Sequence, residues 1–174
     1  MNSIIQTAPV IGAVFLFKKL IFTPNKSTLM YETVLFIHSW WAYLVLLVLL
    51  VATVNFIIGI SSKKEYAATD FRLALFSLIL SHIQLLIGIV LYFVSPYFKA
   101  FGQLGMGEVM KDSTLRLYLV EHPLMMIIAV VLITIGYSKH KNKRLSNQKF
   151  KTLGIFYGLA LVFVLSRIPW SAWF

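Results

Sequence analysis

The chain contains no cysteine. That excludes disulfides, thiolate-held iron–sulfur clusters and covalent haem attachment through a C-x-x-C-H motif. Charge is also scarce, 13% of residues against 59% hydrophobic, where an average soluble domain is about a quarter charged and about half apolar. Acids are the scarcest, six against sixteen Lys and Arg, for a net charge of +10. No pair of carboxylates is spaced for hydrolytic chemistry. No H-E-x-x-H, G-x-S-x-G, phosphate-loop or dinucleotide fingerprint occurs, and the lone GMG at 105–107 is too short to act as one. No repeat of solenoid period is present. A basic balance in so apolar a chain reads as loops that set membrane orientation, and nucleic acid is not an expected partner.

What is present in their place is long apolar runs. Four stretches, at about 33–60, 73–97, 117–137 and 153–172, reach the roughly 20 residues that a spanning helix needs. In hydrocarbon every backbone N–H and C=O must bond within the chain, so such runs are helices. The connections 61–72, 98–116 and 138–152 are short enough to make sequential helices antiparallel neighbours. The expected fold is all-α, an integral membrane four-helix up-down bundle over 30–174. FGQLGMGE within 98–116 reads as an irregular or re-entrant piece.

The basic residues orient it. Lys139, Lys141, Lys143, Arg144, Lys149 and Lys151 lie in 138–152, which has no acid, and Lys63, Lys64 and Arg72 lie in 61–72. Both loops are expected on the cytoplasmic side and the C-terminus outward, in a bacterial cytoplasmic (inner) membrane. Trp40, Trp41, Trp170 and Trp173 then form an outer aromatic belt. The extension 1–29 carries an apolar run at 4–17 ended by Lys18 and Lys19, short for a span and without the basic start of a cleaved signal. It reads as a short interfacial helix. His140, in the basic loop, reads as a solvated residue.

Three histidines stand inside the spans: His38 in LFIHSWWAYL, His82 in ILSHIQLL and His122 in LVEHPLMM. A neutral imidazole must place one donor and one acceptor, and an ionisable group at membrane depth is a functional candidate by default. At 1.5 Å rise per residue, His38 and His122 both fall roughly 9–15 Å below the outer ends of their helices. The first and third helices run parallel and sit diagonally across an up-down bundle. Two imidazoles level across a bundle core suit the two axial positions of a haem iron, and bundle cores are where such sites are built. His82 falls deeper, near 20 Å from the outer end of its helix, as an alternative ligand, a second-shell group or a quinone contact. Met125 or Met126 is a weaker ligand option. Unequal depth and the absence of an aligned carboxylate disfavour zinc.

Arg116 and Arg167 lie toward the outer side, where guanidinium groups suit haem propionates, with snorkelling to the interface the alternative. Glu121 points about 100° away from His122 and is not expected to share its partner. Pro123 cannot donate a backbone bond to Leu119, so it either kinks the third helix beside His122 or marks the start of that helix.

The runs HSWWAYLVLLVLL, FRLALFSLILSHIQLLIGIVLYFVSP, MKDSTLRLYLVEHPLMMIIAVVLITIGYSK and FYGLALVFVLSRIPW together resemble a bacterial family of small four-helix membrane proteins labelled cytochrome b-like, over residues 30–170. The resemblance implies a haem-binding or respiratory-chain role, with His38, His82, Glu121–His122 and Arg167 at the matching positions. More distantly, histidines near the outer ends of two parallel helices resemble one half of haem A synthase. That enzyme carries an acid one helical turn from a histidine, whereas Glu121 here is adjacent to His122.

The expected function is a membrane b-type haem protein moving electrons in or beside the respiratory chain. Its candidate cofactor is haem b and its candidate ligands are His38, His122 and His82, with Arg116 and Arg167 beside them. The lipid bilayer is the expected environment. Quinone, a larger respiratory complex or a second copy are the candidate partners. The alternatives are a cofactor-free helical accessory or assembly subunit and a haem-modifying enzyme of the synthase type.

Overall fold

The computed structural model describes residues 25–172. Five helices follow in order: α1 (Lys26–Ser61), α2 (Ala68–Val94), α3 (Pro96–Lys111), α4 (Ser113–Lys141) and α5 (Ser146–Ser166), with a final 3-10 turn at Trp170–Ala172. All except α3 are long and apolar enough to cross a membrane. The chain is an all-α, multi-pass membrane four-helix bundle.

Local chemistry sets the helix ends. Lys63 takes a left-handed φ of 51°, which turns the chain after α1 while the Lys64 N–H bonds to the Gly59 carbonyl at 3.2 Å. The Asp70 carboxylate reaches back to the Ala67 N–H at 2.9 Å and starts α2. Ser95, held extended by the following proline, ends α2 and caps α3, its hydroxyl oxygen accepting from the Tyr97 N–H at 3.1 Å. Asp112 caps α4 by accepting from the Thr114 and Leu115 N–H groups at 2.9 and 2.8 Å.

Several boundaries differ from the sequence expectation. The stretch 98–116 is mostly helical: Gly105, at φ 76°, bends α3, and Asp112, at ψ 120°, separates α3 from α4. The polar ends of 61–72 and 138–152 belong to helices, leaving turns of 62–67 and 142–145. Charged residues such as Lys139 and Lys141 extend α4 past its apolar stretch. The last helix stops at Ser166 rather than near 172, since Pro169 disfavours helical geometry in the residue before it and Arg167 has already left the helix at φ −133°. At the other end, the predicted boundary at residue 30 falls inside α1, which begins at Lys26 and, at 36 residues, is about 54 Å long. The interfacial helix expected in 1–29 otherwise lies outside the described residues.

α1 packs on α2 and α5, and α4 on α5 and α2, so α1 and α4 face each other diagonally. The core is built from Leu49, Ala52, Phe56, Ala74, Ile133, Phe150, Tyr157 and Ala160 among others. Small residues bring the helices close: a Cβ on Gly59 would lie 2.6 Å from the Phe150 ring, and one on Gly136 would lie 2.6 Å from Phe156 Cβ. Leu47, Phe76, Leu86, Ile155 and Val162 point outward from the bundle, each more than half exposed. Apolar surface of that extent on every side is stable only against lipid.

At the end where α1 meets α2 and α4 meets α5, the buried Asp70 takes bonds from Asn55 Nδ2 and Lys64 Nζ, both at 2.8 Å. Asp70 lies in the first turn of α2, ahead of the apolar stretch. Burial alone would raise its pKa, but the Lys64, Ala67 and Asn55 donors together hold the carboxyl below its ordinary value. His140 is not the solvated loop residue expected. It lies in the last turn of α4 at 1% exposure, packed among the rings of Tyr66, Phe71 and Tyr137. Lys141 and Lys149 lie over Tyr137 and Tyr66, at 4.8 and 5.0 Å from the ring centres.

Gly59→Ala and Gly136→Ala should each destabilise the bundle by about 1–3 kcal/mol, while Gly102→Ala, which meets nothing within 4 Å, should be neutral or stabilising by up to about 1 kcal/mol. Denaturant unfolding in detergent checks both. Because the Asp70 pKa is depressed, its contribution is complete above the unfolded carboxylate value of about 4 and is lost as pH falls through the lower folded value. The stability gap between the wild type and Asp70→Asn should therefore be widest near neutral pH and close in acid.

Candidate functional site

The site lies at the opposite end of the bundle and begins with a proline. Pro123 has no N–H to give the Leu119 carbonyl. The helix answers with one wide turn, Leu117–Glu121, in which the His122 N–H reaches back five residues to the Leu117 carbonyl. Such π turns arise where an α-helix must absorb an extra residue. From α2, the Tyr92 hydroxyl donates to the buried Leu119 carbonyl at 3.2 Å. Pro123 thus neither starts nor ends α4. It re-registers the helix beside His122.

This turn brings His122 against His38 of the diagonal helix, with ring centres 6.3 Å apart and ring planes at 72°. A carbonyl oxygen can only accept a hydrogen bond. His122 Nδ1, 2.8 Å from the Arg167 carbonyl, therefore carries the proton, and Nε2 keeps its lone pair. His38 is held from α2. Gln84 Nε2 donates to the His38 carbonyl at 3.0 Å and sits 3.3 Å from each ring nitrogen. A Cβ on Gly88 would come 3.3 Å from His38 Cε1, so the glycine makes room for the ring. Gln84 Oε1 is buried with no hydrogen-bond partner among the described residues.

Beside the pair, Glu121 binds two arginines. Its Oε1 takes Arg116 Nε at 2.9 Å and its Oε2 lies 3.3 Å from Arg167 Nε. Arg116 Nη1 also donates to the Met110 carbonyl at the end of α3, at 2.8 Å. The expectation that Glu121 and His122 would not share a partner is corrected, since both meet Arg167. Two side chains about 100° apart can reach one arginine when the first takes its guanidinium and the second its main-chain carbonyl. Arg116 and Arg167 are neither lone snorkelling groups nor unpaired cations, because Glu121 engages both.

His82 is not brought into this cluster. Its Nδ1–H donates to the Leu78 carbonyl on its own helix at 2.8 Å, and Nε2 lies 3.4 Å from Thr134 Oγ1 of α4, on the outward, lipid-facing side. Gln84, Gly88 and Tyr92 were not singled out as site residues from sequence. Their signal was a four-residue spacing that puts the polar or small residues of the second half of α2 on one face.

The arrangement suits metal ligation by two imidazoles. A bond from imidazole nitrogen to a transition metal is about 2 Å, so two rings on opposite sides of one ion have centres about 6 Å apart, close to the separation observed. No group of three or more His, Cys, Asp or Glu that could share an ion occurs among the described residues.

Tyr92→Phe should orphan the Leu119 carbonyl beside the π turn and cost about 1–3 kcal/mol, read as a lower unfolding midpoint in detergent. In comparisons with known proteins, no family model, curated protein or solved structure matches this chain.

Proposed function

We propose that the protein is a b-type haem protein of a bacterial cytoplasmic membrane, in which His38 and His122 would hold the haem iron near the outer face. The observation that carries this reading is the pairing of two imidazoles across the bundle at a separation that accommodates one metal ion between them. The hydrogen bond from His122 Nδ1 to the Arg167 carbonyl supports it, because a backbone partner on Nδ1 is how ligating histidines are commonly oriented.

Haem, when bound, supplies one-electron exchange at its iron. The chain's own residues hold and orient it. His38 and His122 provide the nitrogens, Gln84 and Arg167 fix those two rings, and Arg116 and Arg167 offer guanidinium N–H groups beyond those spent on Glu121 for the anionic propionates. Surrounding lipid-facing surface keeps the site dry, which suits electron transfer between a membrane partner such as quinol and an outer acceptor. His82, on the lipid-facing seam of α2 and α4, is the residue placed for a quinone contact, and a larger respiratory complex or a second copy is the partner on the same apolar surface. The basic loops face the cytoplasm in this arrangement.

The rival reading is a cofactor-free accessory or assembly subunit. It draws on the same bonds, since Gln84 and Arg167 already give each imidazole a protein partner, although interhelical bonds in membranes contribute only about 0.6–2 kcal/mol each. A haem-modifying enzyme needs a free acid, and both oxygens of Glu121 are occupied by arginines.

Adding haem to the detergent-purified chain should give the visible spectrum of a six-coordinate low-spin centre. Either His38→Ala or His122→Ala should convert it to a high-spin, weaker complex, and the double variant should bind none. A folded chain that stays colourless with haem in excess would sink the proposal and favour the accessory subunit.

A further inference from the structure

α5 ends at Ser166, and Arg167 is already outside helical geometry at φ −133° and ψ 23°. Its carbonyl, which takes the His122 Nδ1–H, therefore belongs to no regular ladder. The Arg167 side chain adds an anchor to the bond its own N–H makes to the Val164 carbonyl, through Glu121 Oε2 at 3.3 Å and the Ser166 carbonyl at 3.0 Å. Glu121 in turn is held by Arg116, and Arg116 by Met110 at the end of α3. Glu121 and His122 thus meet the same residue at its two ends. The chain closes a ring: Glu121 carboxylate, Arg167 guanidinium, Arg167 carbonyl, His122 imidazole, and the peptide bond back to Glu121.

We infer that Glu121 is a positioning residue for His122, acting through Arg167 to fix which imidazole nitrogen carries the proton and which keeps its lone pair. The inference deepens the proposed function and rests on reading His122 as a ligand. The physical argument is that a single neutral imidazole interconverts between two tautomers, and a carbonyl held in place at Nδ1 selects Nδ1–H over Nε2–H. Removing the carboxylate charge weakens the hold on the guanidinium, the irregular segment after Ser166 loses one of its tethers while the Trp170 Nε1–H bond to the Leu165 carbonyl remains, and Nε2 no longer stands reserved as an acceptor. Outer partners of ligating histidines are typically worth about 10–100-fold in metal affinity or activity. Glu121 also links the kinked connection α3 to the site, since Arg116 bridges Met110 and Glu121.

The test uses the detergent-purified full chain with 15N-labelled histidine, read without haem. In the wild type His122 should show one Nδ1–H tautomer. In Glu121→Gln its two nitrogen shifts should move toward each other and exchange of the Nδ1 proton with water should rise, while His82 and His140 keep their signals. Glu121→Asp, which restores the charge, should recover the wild-type tautomer in part. Arg167→Met keeps the main-chain carbonyl but removes the guanidinium and should behave as Glu121→Gln does. If Glu121→Gln fails to fold, seen as collapse of the His82 and His140 signals, Arg167→Met decides alone. An unchanged His122 tautomer in these variants would overturn the inference, as would equal movement of all three histidines. A wild type that binds no haem would sink the proposed function and leave this readout standing.

Discussion

Hydrocarbon offers no hydrogen bonds, so the backbone and most polar side chains inside this bundle find their partners within the chain, Gln84 Oε1 being an exception. The rest of the structure follows from that constraint. It makes the four apolar runs helices. It sends the Thr53 hydroxyl to the Leu49 carbonyl, the Ser77 hydroxyl to the Leu73 carbonyl and the buried Tyr157 hydroxyl across to the Ala74 carbonyl. It gathers Asn55, Lys64 and the Ala67 N–H around Asp70, because a carboxylate at 2% exposure is tolerable only when surrounded by donors.

Applied to a proline, the same constraint builds the site. Pro123 removes one backbone donor, and a wide turn together with the Tyr92 hydroxyl compensates at Leu119. The compensation shifts the register of α4 at the point where Glu121 and His122 stand. A residue that a soluble helix would exclude thereby brings an imidazole to the diagonal helix and a carboxylate to two arginines. The two ends of the bundle are chemically different for this reason. One is an aromatic and basic cluster around His140 and Asp70. The other is a polar ring around paired imidazoles.

Much of this was legible residue by residue. Run length and the bilayer's thickness determine four spanning helices, and short connections determine their antiparallel order. The depth match of His38 and His122 follows from counting rise per residue, and the structure brings those two rings together. His140 was misread because its neighbours in sequence are lysines, whereas its neighbours in space are three aromatic rings, Tyr66 of the first turn, Phe71 of α2 and Tyr137 of α4. The glycines of 98–116 suggested an irregular piece, but a glycine breaks a helix only where the chain needs a positive φ, and only Gly105 does so.

The sequence by itself determined the four helices of the described residues that are long and apolar enough to cross a membrane, and which histidines lie at one level, because these depend on local hydropathy and on a fixed rise per residue. Tertiary structure alone decided who holds each imidazole. Gln84 reaches His38 across 46 positions and the Arg167 carbonyl reaches His122 across 45. Such bonds depend on helix rotation and on where α5 stops, which no local pattern encodes. The union of Glu121 and His122 on one arginine is of the same kind. Periodicity sets their side chains apart, and a shared partner with two binding ends brings them back together.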